Sequence, residues 1–104
     1  GGFQMLLRGE VMRGKFRNSL SKPEAFTPNK TAEVKFDLQD INHTFKTGHR
    51  VMIQVQSTWF PLVDRNPQKF MDIYKATEAD FQKATHRVFH SAKLSSHLKV
   101  GTIK

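Results

Sequence analysis

His49-Arg50-Val51-Met52-Ile53-Gln54-Val55-Gln56-Ser57-Thr58 is the strongest strand candidate in this sequence. Side chains of an extended chain point alternately to two faces. Val51, Ile53 and Val55 therefore share one face, and Arg50, Met52, Gln54 and Gln56 the other. β-Branched residues at every second position predict a half-buried strand. Upstream, Asp40 to Gly48 reads as a turn region that ends in Thr47-Gly48. Before it, Ala32 to Leu38 alternates again, with Val34, Phe36 and Leu38 opposite Glu33, Lys35 and Asp37.

The same period extends outward. Phe3 to Phe16 reads as an extended stretch that Gly9 and Gly14 interrupt with bends or bulges. Asn18 to Lys30 holds Pro23, Pro28 and Asn29 and reads as a loop. Trp59 to Gln68 is irregular, because Pro61 and Pro67 cannot donate to a ladder. Met71 to Gln82 is ambiguous, with one helical turn expected at Glu78 to Gln82. Thr85 to Ser91 and His97 to Ile103 read as two closing strands. Short strands at this spacing predict an all-β fold, an antiparallel sandwich or barrel.

The composition bounds the function. A chain of 104 residues is one small domain or a piece of one, able to bury roughly 60–70% of its unfolded surface. A two-lobed enzyme is excluded. Without cysteine there is no disulfide framework, thiolate zinc site or thiol nucleophile. No apolar run approaches the roughly 18 residues of a membrane span, and Gly1 to Arg8 is too short for a signal peptide. Seventeen Lys and Arg against nine Asp and Glu give a net charge of +8, which fits nucleic acid, an anionic surface or an acidic partner.

Motifs that would carry chemistry are sparse. None of Ser19, Ser21, Ser57, Ser91, Ser95 and Ser96 lies in Gly-x-Ser-x-Gly. His86 and His90 are spaced i, i+4, but no His-Glu-x-x-His motif accompanies them, and a half-exposed strand accounts for both. The acids are spread out, and Asp64 beside Arg65 reads as a local tie rather than a general base. In an extended segment Arg13, Lys15 and Arg17 form a basic stripe that could track phosphates, but Phe16 would point away from it. Asn29-Lys30-Thr31 and Asn42-His43-Thr44 match the glycosylation acceptor pattern, which is short and often met by chance.

One ordered run goes further. His43-Thr44-Phe45-Lys46-Thr47-Gly48-His49-Arg50 leads into the alternating stretch, and Trp59-Phe60-Pro61-Leu62-Val63-Asp64-Arg65-Asn66-Pro67-Gln68 follows it. This closely resembles the C-terminal, non-catalytic domain of the Xaa-Pro dipeptidyl-peptidase and cocaine esterase hydrolase family. Arg8 to Ser19 and Ala84 to Ser91 resemble its flanking segments, so the likeness runs from about Gln4 to Val100. Asp64 to Gln68 and Lys83-Ala84-Thr85 are most similar to α-amino-acid ester hydrolases and glutaryl-7-aminocephalosporanic acid acylases. Gln68-Lys69-Phe70 stands where many other members carry Asn-Thr-Gly after the Asn-Pro.

The resemblance implies a jelly-roll-like antiparallel β-sandwich, with residues 1–104 forming the C-terminal part of it. A partial sandwich leaves strand edges open, which predicts self-association. It implies a parent serine hydrolase of peptidase or acylase type, with its triad on a separate α/β-hydrolase domain as partner and an exported, periplasmic or secreted setting. No catalytic, cofactor or metal residue falls in this chain. The motif residues would then be structural. Gly48, before His49, gives a turn at positive φ. Arg50 and Arg65 tie loops by forked hydrogen bonds, with Asp64 beside Arg65. Phe60 and Pro61 plug the sandwich rim, and Asn66 and Pro67 fix a turn. The alternative is a free-standing basic β module that binds nucleic acid or another polyanion; sugar binding ranks last, with one Trp and one Tyr. Neither nucleic acid nor membrane is expected as a partner on the main reading.

Overall fold

The computed structural model describes residues 2–103. The chain divides into two units, Gly1–Val51 and Met52–Lys104. Regular structure among the described residues is limited to three single-turn 3-10 helices, Gly14–Phe16, Ile73–Lys75 and Glu78–Asp80. One isolated antiparallel bridge joins His90 to Ser95.

This overturns the expected all-β fold. Among the described residues no two segments form a ladder, so there is no antiparallel jelly-roll-like sandwich, whole or partial. Residues 32–38, 49–58 and 97–103 are irregular, and the end of the first expected strand is the 3-10 turn at Gly14–Phe16. The reason lies in what alternation encodes. It sorts side chains onto faces, but it does not supply the second row of N–H and C=O groups. Ordering the backbone costs about 1–2 kcal/mol per residue. A sheet offsets this only with paired bonds and a covered apolar face. Here Val51, Ile53 and Val55 remain 61%, 62% and 66% exposed. Phe60, assigned to a sandwich rim, is 64% exposed and has no rim to plug.

The surface left in water is correspondingly large. The accessible surface is 10245 Å². Two separate compact bodies of half the chain's mass would expose about 7,200 Å² together, so roughly 3,000 Å² more remains in water whatever the placement of the units. Among the described residues Pro67 is the one buried apolar side chain, and no aliphatic or aromatic side chain is buried.

The first unit is organised around Arg17. The chain turns at Gly14–Phe16, runs through Pro23, and comes back so that the Glu24 N–H donates to the Lys15 carbonyl at 2.7 Å. Arg17 fills the resulting loop. Its Nη1 donates to the carbonyls of Gly14 (3.1 Å) and Glu24 (2.8 Å), and its Nη2 to Glu24 Oε1 (3.1 Å) and the Ala25 carbonyl (3.2 Å). The guanidinium lies 4.1 Å from the Phe26 ring centroid. A Cβ at position 14 would stand 2.5 Å from Phe26 Cε2, so any other residue there must displace the ring from its place against Arg17.

The second unit is a series of hydrogen-bonded turns. The Val63 N–H donates to the Trp59 carbonyl, and Asp72 caps Ile73–Lys75 by accepting from the Tyr74 N–H at 3.1 Å. Glu78–Asp80 is held by Asp80, whose Oδ2 accepts from both the N–H and the hydroxyl of Thr77 at 2.9 Å. This is the returning half of a capping box. Pro67 is the largest fully buried side chain.

Candidate functional site

The densest set of side-chain bonds in the second unit joins residues 65–69 to 77–86. It begins with an Asx turn. Asn66 Oδ1 accepts from the Gln68 N–H at 2.9 Å, and Pro67 between them fixes φ. Gln68 itself sits at φ +61, a left-handed conformation that costs a residue with a Cβ about 1–2 kcal/mol. Three bonds to the facing segment hold this loop. The Gln82 N–H donates to the Pro67 carbonyl (3.2 Å), Gln82 Nε2 donates to the Gln68 carbonyl (2.7 Å), and His86 Nε2 meets Gln68 Oε1 (3.1 Å).

Two ion pairs flank the turn. Arg65 presents a fork to Glu78, with Nη1 3.3 Å from Oε2 and Nη2 3.5 Å from Oε1, and its guanidinium lies 4.2 Å from the centre of the Phe81 ring. Lys69 Nζ donates to Asp80 Oδ1 at 2.7 Å. That bond, followed by those from the Thr77 N–H and hydroxyl, lowers the Asp80 pKa from 3.8 to about 2. The arrangement leaves a shallow cleft of about 510 Å³ lined by Ser57, Thr58, Arg65, Gln68, Phe81 and Lys83.

The other motif residues are dispersed. Gly48 has φ +83 in a turn closed by the His49 N–H on the Lys46 carbonyl at 3.0 Å. Arg50 is exposed, with no hydrogen bond or ion pair among the described residues, in contrast to Arg65. The Phe60 N–H lies 3.4 Å from Thr58 Oγ1, and the Phe60-Pro61 peptide is cis. Asp64 is exposed but engaged. The basic stripe is also altered. The 3-10 turn interrupts it, and Arg17, with its side chain 8% exposed, is taken up by the loop that it clamps.

Sequence reasoning missed Gln68, Gln82, Thr77 and Asp80. Thr77-x-x-Asp80 carried a readable signal, the capping-box spacing. Gln68 carried none, because glutamine has no preference for positive φ.

The chemistry open to this site is that of a fastener. Its bonds join amides, carboxylates and cations already satisfied by each other. Among the described residues no serine hydroxyl is hydrogen-bonded to a histidine, and no three His, Cys, Asp or Glu side chains gather as a metal would need. The His86 ring faces Gln68, while His90 belongs to the isolated bridge.

Comparison with known proteins supplies the context. Residues 2–99 match the family model of the X-Pro dipeptidyl-peptidase C-terminal non-catalytic domain. The chain is also similar to a cocaine esterase from Rhodococcus sp. (strain MB1 Bresler), at 29% identity over 94 residues. The match covers 90% of this chain but only 16% of that relative's length. No solved structure matches.

Proposed function

This chain belongs to the family of X-Pro dipeptidyl-peptidase C-terminal non-catalytic domains, and from that premise we propose that it serves as the accessory domain of a larger serine hydrolase. The observation that carries this reading is the family match across residues 2–99. The parent would hold its Ser–Asp–His triad on an α/β-hydrolase domain outside these residues. Its chemistry would be acyl transfer, in which serine attacks an amide or ester carbonyl, an oxyanion hole stabilises the tetrahedral intermediate, and water releases the acyl group. Asp64 to Gln68 and Lys83 to Thr85 favour a parent of the amino-acid ester hydrolase or acylase branch, acting on acyl amino acids, peptides or β-lactam side chains.

Within the domain the motif residues are structural. Arg65, Asn66 and Pro67 hold the loop that Gln82 and His86 fasten, and Gly48 makes a turn whose positive φ strains any residue with a Cβ. Sequencing the gene upstream of the Gly1 codon tests the reading. An in-frame stretch of several hundred codons with Gly-x-Ser-x-Gly, then Asp and His, is expected. A start codon close to Gly1 with no hydrolase sequence before it would overturn the proposal.

A further inference from the structure

We propose that Met52–Ser57 is a self-pairing segment, through which two copies of this chain associate by antiparallel strand pairing. Three observations carry it. First, among the described residues no backbone N–H or C=O of this segment has a protein hydrogen-bond partner. Second, its side chains are in water, with Met52, Ile53 and Val55 at 55%, 62% and 66% exposure. Third, no charged residue occurs from Val51 to Val63, in a chain where 25% of residues are charged. A short, uncharged, β-branched segment without Pro or Gly, with its backbone groups unpaired, is the pattern that pairs with its own kind.

The symmetric register is favourable. Antiparallel pairing centred on Gln54 sets Ile53 against Val55 of the second copy on one face. On the other it sets Gln54 against Gln54 and Met52 against Gln56. The contact is isologous, the same edge of each copy meeting its equivalent. The other alternating segment carries charges, which make its pairing depend on register. Pairing 32–38 about Lys35 sets Lys35 against itself and Glu33 against Asp37, and like charges directly opposite are destabilising.

Charge separates this occupant from any other. Two copies at +8 repel, so screening strengthens self-pairing, whereas an acidic partner would be released by salt. The test is sedimentation velocity of the full 104-residue chain across a concentration series at about 20 mM and about 300 mM salt. A dimer that is tighter at high salt is expected. Gln54→Lys and Gln54→Glu should each weaken it at least about tenfold, and mixing the two variants should restore association. Gln54 is exposed, so neither change disturbs packing. A monomer at every concentration, looser association at high salt, or variants that associate like the parent chain would each overturn the proposal. Amide exchange supplies a check independent of the variants: protection over 53–57 must rise with concentration, and its failure to do so also counts against the pairing.

Discussion

Replacing Arg17 by alanine should open the loop that brings Glu24 back to Lys15. The guanidinium makes four hydrogen bonds, three of them to carbonyls, and lies against Phe26 with its side chain only 8% exposed. A charged hydrogen bond is worth about 1.5–3 kcal/mol net, and the four do not add, because one side chain makes them all and three lie at exposed acceptors that water can serve. The ion pair adds little, because Glu24 is 58% exposed. The stack on Phe26 adds about 0.5–1 kcal/mol. A net local loss of about 2–3 kcal/mol is expected, and at 1.4 kcal/mol per tenfold that is roughly 30- to 150-fold. The reporter is the Glu24 amide, which donates to the Lys15 carbonyl at 2.7 Å. Its hydrogen-exchange protection should fall by that factor. Arg17→Lys keeps the charge but cannot reach four acceptors from one ammonium, so about a tenfold fall is expected. A Glu24 amide that exchanges within about twofold of the original in Arg17→Ala would refute the clamp.

Other substitutions test the remaining fastenings. The Asp80 carboxyl should titrate near 2, and Lys69→Met should move its midpoint back toward 3.8 in a carbon-detected NMR titration. Because the folded value is the lower one, the contribution of Asp80 to stability is complete above its ordinary pKa and is lost as pH falls through about 2; a midpoint unmoved by the variant would contradict the Lys69 bond. Gly48→Ala, forced to φ +83, should cost about 1–2 kcal/mol and speed exchange of the His49 amide by about five- to thirtyfold, although its Cβ meets nothing within 4 Å. Arg65→Lys should change stability by under about 1 kcal/mol in urea unfolding, since Arg65 and Glu78 are 48% and 82% exposed; a larger loss would mean that the Phe81 stack matters more than the ion pair.

What was legible in the sequence was local or long and ordered. The run from His43 to Gln68 was specific enough to identify the family without any knowledge of the fold. Thr47-Gly48 and Pro28-Asn29 both lie in turns, and Asn29 takes φ +59 after its proline. The helical turn expected at Glu78 to Gln82 is present as Glu78–Asp80. Strand pairing was not legible, because period two in Val51, Ile53 and Val55 describes one row of residues and a ladder needs a second. The Arg17 clamp was hidden for a related reason. Counting by twos placed Arg13, Lys15 and Arg17 on one face, but three of the four acceptors for Arg17 lie seven and eight residues ahead, at Glu24 and Ala25. Gln68 was unreadable because its left-handed backbone is imposed by partners at Asn66, Gln82 and His86.

On the function proposed above, this domain accompanies a serine hydrolase without supplying its nucleophile. The most direct measurement is to react the complete gene product with a fluorophosphonate and map the modified serine by peptide mass spectrometry. A single labelled serine outside these 104 residues is expected, with no label on the isolated chain. Stoichiometric label on Ser19, Ser21, Ser57, Ser91, Ser95 or Ser96 would contradict it.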